Sequence, residues 1–131
     1  MLYLLDTNII SDLIRNPQGK AAKRIAKVGE DKICTSIVVA AELRYGGAKS
    51  GSQRLARAVD ELLSEIKVLP FDVPADVEYA AIRSKLEASG KPIGGNDLLI
   101  AAHASVLGAT MVTGNVEEFT RVPGLKLENW L

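Results

Sequence analysis

The sequence predicts an α/β fold with a parallel sheet covered by helices on both faces. Short apolar runs alternate along the chain with longer stretches of helical periodicity, the arrangement that builds such sheets. The first run, Met1 to Leu5, is continuously apolar, as in strands buried on both faces. Cap and breaker residues, among them Asn16-Pro17, Ser36 and Gly108, stand at the junctions.

The elements follow in order. Met1 to Leu5 is a strand, and Asp6-Thr7-Asn8 offers cap-type side chains before Ile9, Ile10, Leu13 and Ile14, which repeat at helical spacing. Asn16-Pro17 ends that helix, and Ala21 to Val28 forms a second, short one. Lys32 to Thr35 reads as the next strand. Ser36 caps a helix from Ile37 to Tyr45 that Gly46-Gly47 is expected to stop. Leu55, Val59, Leu62, Leu63 and Ile66 give Ser52 to Glu65 an amphipathic pattern. A strand from Lys67 to Phe71 follows, ended near Pro70, and then a helix through Val73, Val77, Ala80, Ala81 and Ile82 that closes at Ser89-Gly90. Beyond the loop Gly90 to Gly95, Asn96 caps a helix from Asp97 to Leu107, and Gly108 ends it. Ala109 to Thr113 is a strand, and Leu125 to Leu127 a final edge strand. No repeat, linker or low-complexity segment interrupts this order, so residues 1–131 are expected to form a single domain.

Composition narrows the function. Lys plus Arg equals Asp plus Glu at sixteen each, which argues against a protein that coats nucleic acid by bulk charge. Any phosphate-binding surface must be local. The one cysteine, Cys34, excludes an internal disulfide framework and sits in an apolar run as a small hydrophobe. The opening apolar run stops at Asp6, too short for a signal peptide or a membrane span, so a cytoplasmic protein is expected.

In open α/β sheets ligands bind beyond the carboxyl ends of the strands, and three acids stand out there. Asp6 directly follows the first strand. Glu42 lies in an otherwise apolar stretch, Ile37 to Leu43. Asp97 opens an apolar helix behind Gly94 and Gly95. Buried carboxylates are costly unless paired, hydrogen-bonded or bound to metal. Taken singly, Asp6 reads equally as an N-cap, Asp97 as a first-turn acid and Glu42 as part of a solvated stripe. Taken together, converging carboxylates demand a cation. Oxygen ligands without His or Cys favour Mg²⁺, with Mn²⁺ able to substitute, over zinc. Such an ion polarises a phosphodiester and activates water. Thr7 and Asn8 could orient Asp6 or simply cap, and Thr113 could hydrogen-bond a carboxylate or simply end its strand. His103, six residues past Asp97, lies roughly 240° round the helix from it and is expected to pack rather than act as a base. Arg44, Lys49, Arg54 and Arg57 could touch RNA phosphates but read more simply as solvated charge, and Tyr45 and Trp130 read as packing residues rather than base-stacking platforms.

The stretch Leu4-Leu5-Asp6-Thr7-Asn8-Ile9-Ile10 resembles the opening of PIN-domain proteins, specifically VapC-type toxins. Ser36 through Glu42-Leu43-Arg44-Tyr45-Gly46 resembles that family's second acidic motif. Gly94-Gly95-Asn96-Asp97 with the apolar helix after it resembles the third, and Thr113-Gly114-Asn115-Val116-Glu117-Glu118-Phe119 the last. The resemblance runs from Leu4 to Trp130. It implies a three-layer α/β/α sandwich with a central parallel sheet. It also implies a metal-dependent endoribonuclease that cuts structured RNA such as tRNA or rRNA, a cognate antitoxin that blocks the site, and a homodimer. The candidate catalytic set is then Asp6, Glu42, Asp97 and Glu118, the first three as metal ligands, with Thr7, Asn8, Thr113 and Asn115 in support. One departure stands out. Many PIN nucleases carry aspartate where this chain has Asn115, and Glu118, three residues on, is expected to supply the missing charge, with Glu117 pointing elsewhere.

Other readings fit less well. A haloacid-dehalogenase-like phosphatase needs a second aspartate where Asn8 stands. A receiver domain wants an acidic pair and a late lysine that are not visible. A non-catalytic RNA- or protein-binding domain of the same fold is the alternative from another class, and the intact acids count against it.

Overall fold

The computed structural model describes residues 1–131. The chain forms β1 (Tyr3–Leu5), α1 (Thr7–Arg15), α2 (Lys20–Val28), a 3-10 turn (Glu30–Lys32), β2 (Ile33–Ser36), α3 (Ile37–Ser50), α4 (Gln53–Glu65), β3 (Lys67–Leu69), α5 (Ala75–Ala88), α6 (Gly95–Leu107), β4 (Thr110–Val112), α7 (Val116–Phe119) and β5 (Leu127–Glu128). All strand pairs are parallel, in the order β3-β2-β1-β4-β5. The most apolar run takes the central position: Leu4 lies beside Cys34 of β2 on one side and Met111 of β4 on the other. β1, β2 and β4 are buried along their whole length, which requires cover on both faces. Full burial of side chains such as Leu5 and Ile10 stabilises by about 1.5–3 kcal/mol each.

The topology positions the site. The chain builds outward from β1 to β3, then crosses back to lay β4 against the other edge of β1. The strand order therefore reverses between β1 and β4, the place where open α/β sheets leave a crevice for ligands. Asp6 and Thr113, the residues that follow these two strands, stand together there.

Several boundaries differ from the sequence expectation. Gly46-Gly47 does not stop α3, which runs on to Ser50 and ends at Gly51 in the left-handed conformation, φ 70°. Gly47 is instead a packing residue. It is buried, and a Cβ there would stand 3.4 Å from the Cα of Ala56, so its absence lets α4 approach α3. Asn96 does not cap α6; the helix begins at Gly95, two residues earlier than expected, with Gly94 in the cap position and no side-chain cap bond. β3 stops at Leu69 because Pro70 has no N–H to continue the ladder. Lys32 falls in the 3-10 turn, so β2 starts one residue later than expected. The edge strand β5 lies at Leu127–Glu128, pairing with Met111 and Val112.

Candidate active site

Asp6 is the N-cap of α1, and its side chain is fixed by two donors. Oδ1 accepts from the Thr7 amide at 2.8 Å, and Oδ2 from the Thr113 hydroxyl at 2.7 Å. The second bond spans the switch point and ties β4 to the end of β1. Thr113 Oγ1 also accepts from the Asn115 amide at 3.0 Å, and the Gly114 amide donates to Asn8 Oδ1 at 3.0 Å. The loop after β4 is thereby laced to the start of α1. Asp6 is 3% exposed. Burial pushes its carboxyl above the usual range against the pull of the Thr113 and Thr7 bonds, and the charges of Glu42 and Glu118 add to the rise.

Glu42 reaches the same crevice from the middle of α3. Its Oε1 accepts from the Thr7 hydroxyl at 2.6 Å, and its Oε2 from the Asn96 side-chain amide at 3.3 Å. Asp97, on the first turn of α6, has its carboxyl pushed up to about 7. Burial is the largest cause, followed by Glu118, through its charge and by hydrogen bonding to the protonated form, and then by the charges of Asp6 and Glu42. Glu118, on α7, accepts from the Gly94 amide at 3.3 Å, which links the loop before α6 to the loop after β4.

The sequence-derived acids are therefore brought together, though Glu42 and Asp97 are half-buried rather than enclosed. Asn115 diverges more. It is exposed, takes the cap position of α7 without a side-chain cap bond, and lines an open hollow with Glu117, Glu118 and Arg121. Glu117 is exposed on that same hollow and does not point away from it as expected, yet it is not among the charges that raise Asp97. Sequence reading missed the role of Asn96, since an amide ahead of an apolar helix looks like a cap. His103 packs, as expected: its Nδ1 lies 2.8 Å from Ser36 Oγ and its ring meets Phe71 edge-on.

The donor set suits a hard divalent cation. The protein's ion pairs are Arg24–Glu128, Arg44–Asp60 and Arg83–Glu87, so Asp6, Glu42, Asp97 and Glu118 have no basic partner. His103 and Cys34 are buried elsewhere. No three carboxyls close into a ready-made ligand cage. Few direct ligands with water completing the shell is the habit of magnesium.

The PIN domain family model matches residues 3–125. The chain belongs to the PIN-domain family. It is 39% identical over 132 residues to the ribonuclease VapC2 of Rickettsia felis, covering 99% of this chain and 98% of that protein. It is 34% identical to the tRNA(fMet)-specific endonuclease VapC of Salmonella typhimurium, over 98% and 97% of the two chains. Among solved structures, the VapBC2 complex of Rickettsia felis bound to a promoter DNA fragment contains a chain that superposes with a TM-score of 0.93 at 37% identity, each chain covered completely. Within the PIN family the chain groups with the VapC proteins, whose ribonucleases are in general metal-dependent. The switch-point crevice of this PIN domain is where Asp6, Glu42, Asp97 and Glu118 gather without a basic partner.

Proposed function

We propose that residues 1–131 form one nuclease domain, a toxin endoribonuclease that cleaves structured RNA, tRNA or rRNA, with Mg²⁺ at the carboxylate crevice and a cognate antitoxin to silence it. The observation that carries the reading is the gathering of Asp6, Glu42, Asp97 and Glu118 at the switch point without a basic side chain to neutralise them. Asp6 and Asp97 would hold the metal, with Glu42 as a third ligand or a partner of metal-bound water. When bound, that ion supplies charge to polarise the phosphodiester and an activated water. The chain's own residues do the positioning. Thr113 and Thr7 fix both oxygens of Asp6, and Thr7 and Asn96 hold one oxygen each of Glu42. Asp97 titrates near neutrality, so it can exchange its proton for the cation's charge. Support for the toxin reading comes from the VapC relatives and from the VapBC complex in which the similar chain was solved.

Two experiments test this. Cleavage of RNA by the purified protein should rise with Mg²⁺ or Mn²⁺ and vanish in chelator. RNA binding without cleavage at any metal concentration would make the domain a binder and not an enzyme. Expressed without antitoxin, the chain should arrest bacterial growth, and harmless accumulation of folded protein would refute the toxin role.

Glu118 gives a graded prediction. Removal of a residue that acts on the metal through its water shell typically costs ~10–100-fold. Glu118→Gln should weaken cleavage by about that factor and raise the Mg²⁺ requirement, whereas Glu117→Gln should do little. Equal activity of the two variants across a Mg²⁺ titration would reduce Glu118 to a residue that only bonds the Gly94 amide.

A further inference from the structure

The charge of this protein is balanced overall but not locally. α2 carries Lys20, Lys23, Arg24 and Lys27 and no acid. The spacing i, i+3, i+4, i+7 puts all four on one helical face, and all four are exposed, while Ala21 turns inward to the core. Three of them, Lys20, Lys23 and Lys27, have no acidic partner. The fourth anchors the helix. Arg24 bonds Glu128 Oε1 at 3.1 Å and stands 5.5 Å from the centre of the Trp130 ring; Trp130 Nε1 donates to the same oxygen at 2.9 Å and its ring meets Tyr3 at 5.1 Å. The basic face is thus held on the tail of β5 and on β1.

That face connects to the carboxylate crevice through Leu131 and Gly114. The lysines line a hollow of about 340 Å³ with Asn129, Trp130 and Leu131. Leu131 in turn touches Gly114 so closely that a Cβ there would stand 2.9 Å from Leu131 Cδ1. Gly114 is bonded to Asn8 and lines the hollow that holds Glu117 and Glu118. A continuous surface therefore leads from a one-signed basic stripe, across Leu131 and Gly114, to the acids.

We propose that the α2 stripe binds the phosphate backbone of the RNA and delivers the strand to the crevice, an inference that rests on the ribonuclease reading above. A site made of carboxylates repels its own polyanionic substrate away from the metal. Lysines set to one side supply affinity that the crevice cannot, as sequence-independent phosphate contacts do.

The test compares Lys20→Gln/Lys23→Gln/Lys27→Gln with a control triple of exposed cations on other helices, Arg54→Gln/Arg57→Gln/Lys85→Gln. Binding of unfractionated tRNA is measured in chelator from low to high salt, and cleavage in Mg²⁺. Each lost phosphate contact lowers the slope of log affinity against log salt by roughly 0.9. The stripe variant should lose between about two and three units of slope and bind tRNA at least about tenfold more weakly. Its KM should rise while kcat is retained. The Lys→Arg version of the same triple should keep the wild-type slope, and the control should lose less than one unit. Equal slopes for stripe and control variants would overturn the proposal. So would unaltered tRNA binding with lost binding of poly-glutamate, which would make the stripe a dock for an acidic protein segment, or a wild-type protein that does not bind tRNA. The two readings fail separately. Wild-type cleavage with an unaffected stripe variant sinks the stripe alone. Stripe-dependent tRNA binding without any cleavage keeps the stripe and sinks the nuclease.

Discussion

Asp6→Asn and Asp97→Asn are each expected to lower RNA cleavage at least about 100-fold, the scale on which loss of one group acting on the reacting charge shows. The amide keeps the shape and the capacity to accept a bond, so the fold should survive. Asp6→Asn still offers an oxygen to Thr113 or to the Thr7 amide, and Asp97 lies on the first turn of α6, half-exposed. What each loses is one negative charge toward a cation. Added metal should not rescue either variant at concentrations that saturate the wild type. Full activity in either purified variant would remove its aspartate from the metal site.

The second expected result is a dependence of metal-free stability on pH that runs opposite to the usual carboxylate case. The Asp97 carboxyl is pushed up to about 7 in the folded protein, whereas in the unfolded chain it titrates at about 4. Between those values the folded state holds a proton that the unfolded state has released. The Asp97 contribution to stability therefore falls as pH rises from about 4 to about 7 and levels off above, while His103, whose buried imidazole is held below its ordinary value, opposes it in the acid part of that range. Asp6, also raised, adds in the same direction as Asp97. In chelator the melting temperature should be higher near pH 5.5 than near pH 8, and Asp97→Asn should flatten that difference and melt above the wild type at pH 8. Mg²⁺ should have the opposite pH preference, because a proton and a cation compete for the same carboxylates. Its stabilising effect should be large at pH 8 and small at pH 5.5. A melting temperature in chelator that is unchanged or higher at pH 8 would mean that the carboxylates do not crowd one another in solution.

Much of this site was legible in the sequence because it stands at the ends of strands. The continuous apolar run to Leu5 marks the central strand, and the acid that breaks it is necessarily at its carboxyl end. Glu42 and Asp97 stand out through apolar neighbours that leave a charge little reason to be there. Contacts made by folding were legible at most in kind. Thr113 read as a possible carboxylate partner, but its bond to Asp6 joins residues 107 apart, and nothing local says that β4 lies beside β1. Asn96 looks like a cap, since the competing role of holding Glu42 exists only once α3 and α6 meet. Gly46-Gly47 looks like a helix stop because glycine's two uses, conformational freedom and lack of bulk, are indistinguishable without the partner helix. The burial of Glu42 and Asp97 was overread for a related reason. Apolar neighbours along a helix fix which face packs, while the end of the side chain can still reach a crevice open to water.

The most direct test of the account is to sequence RNA ends after brief induction of the wild type and of Asp97→Asn in the same cells. A small set of new ends in structured RNA should appear with the wild type and be absent with Asp97→Asn at equal protein levels. Identical end maps for the two proteins would contradict the account.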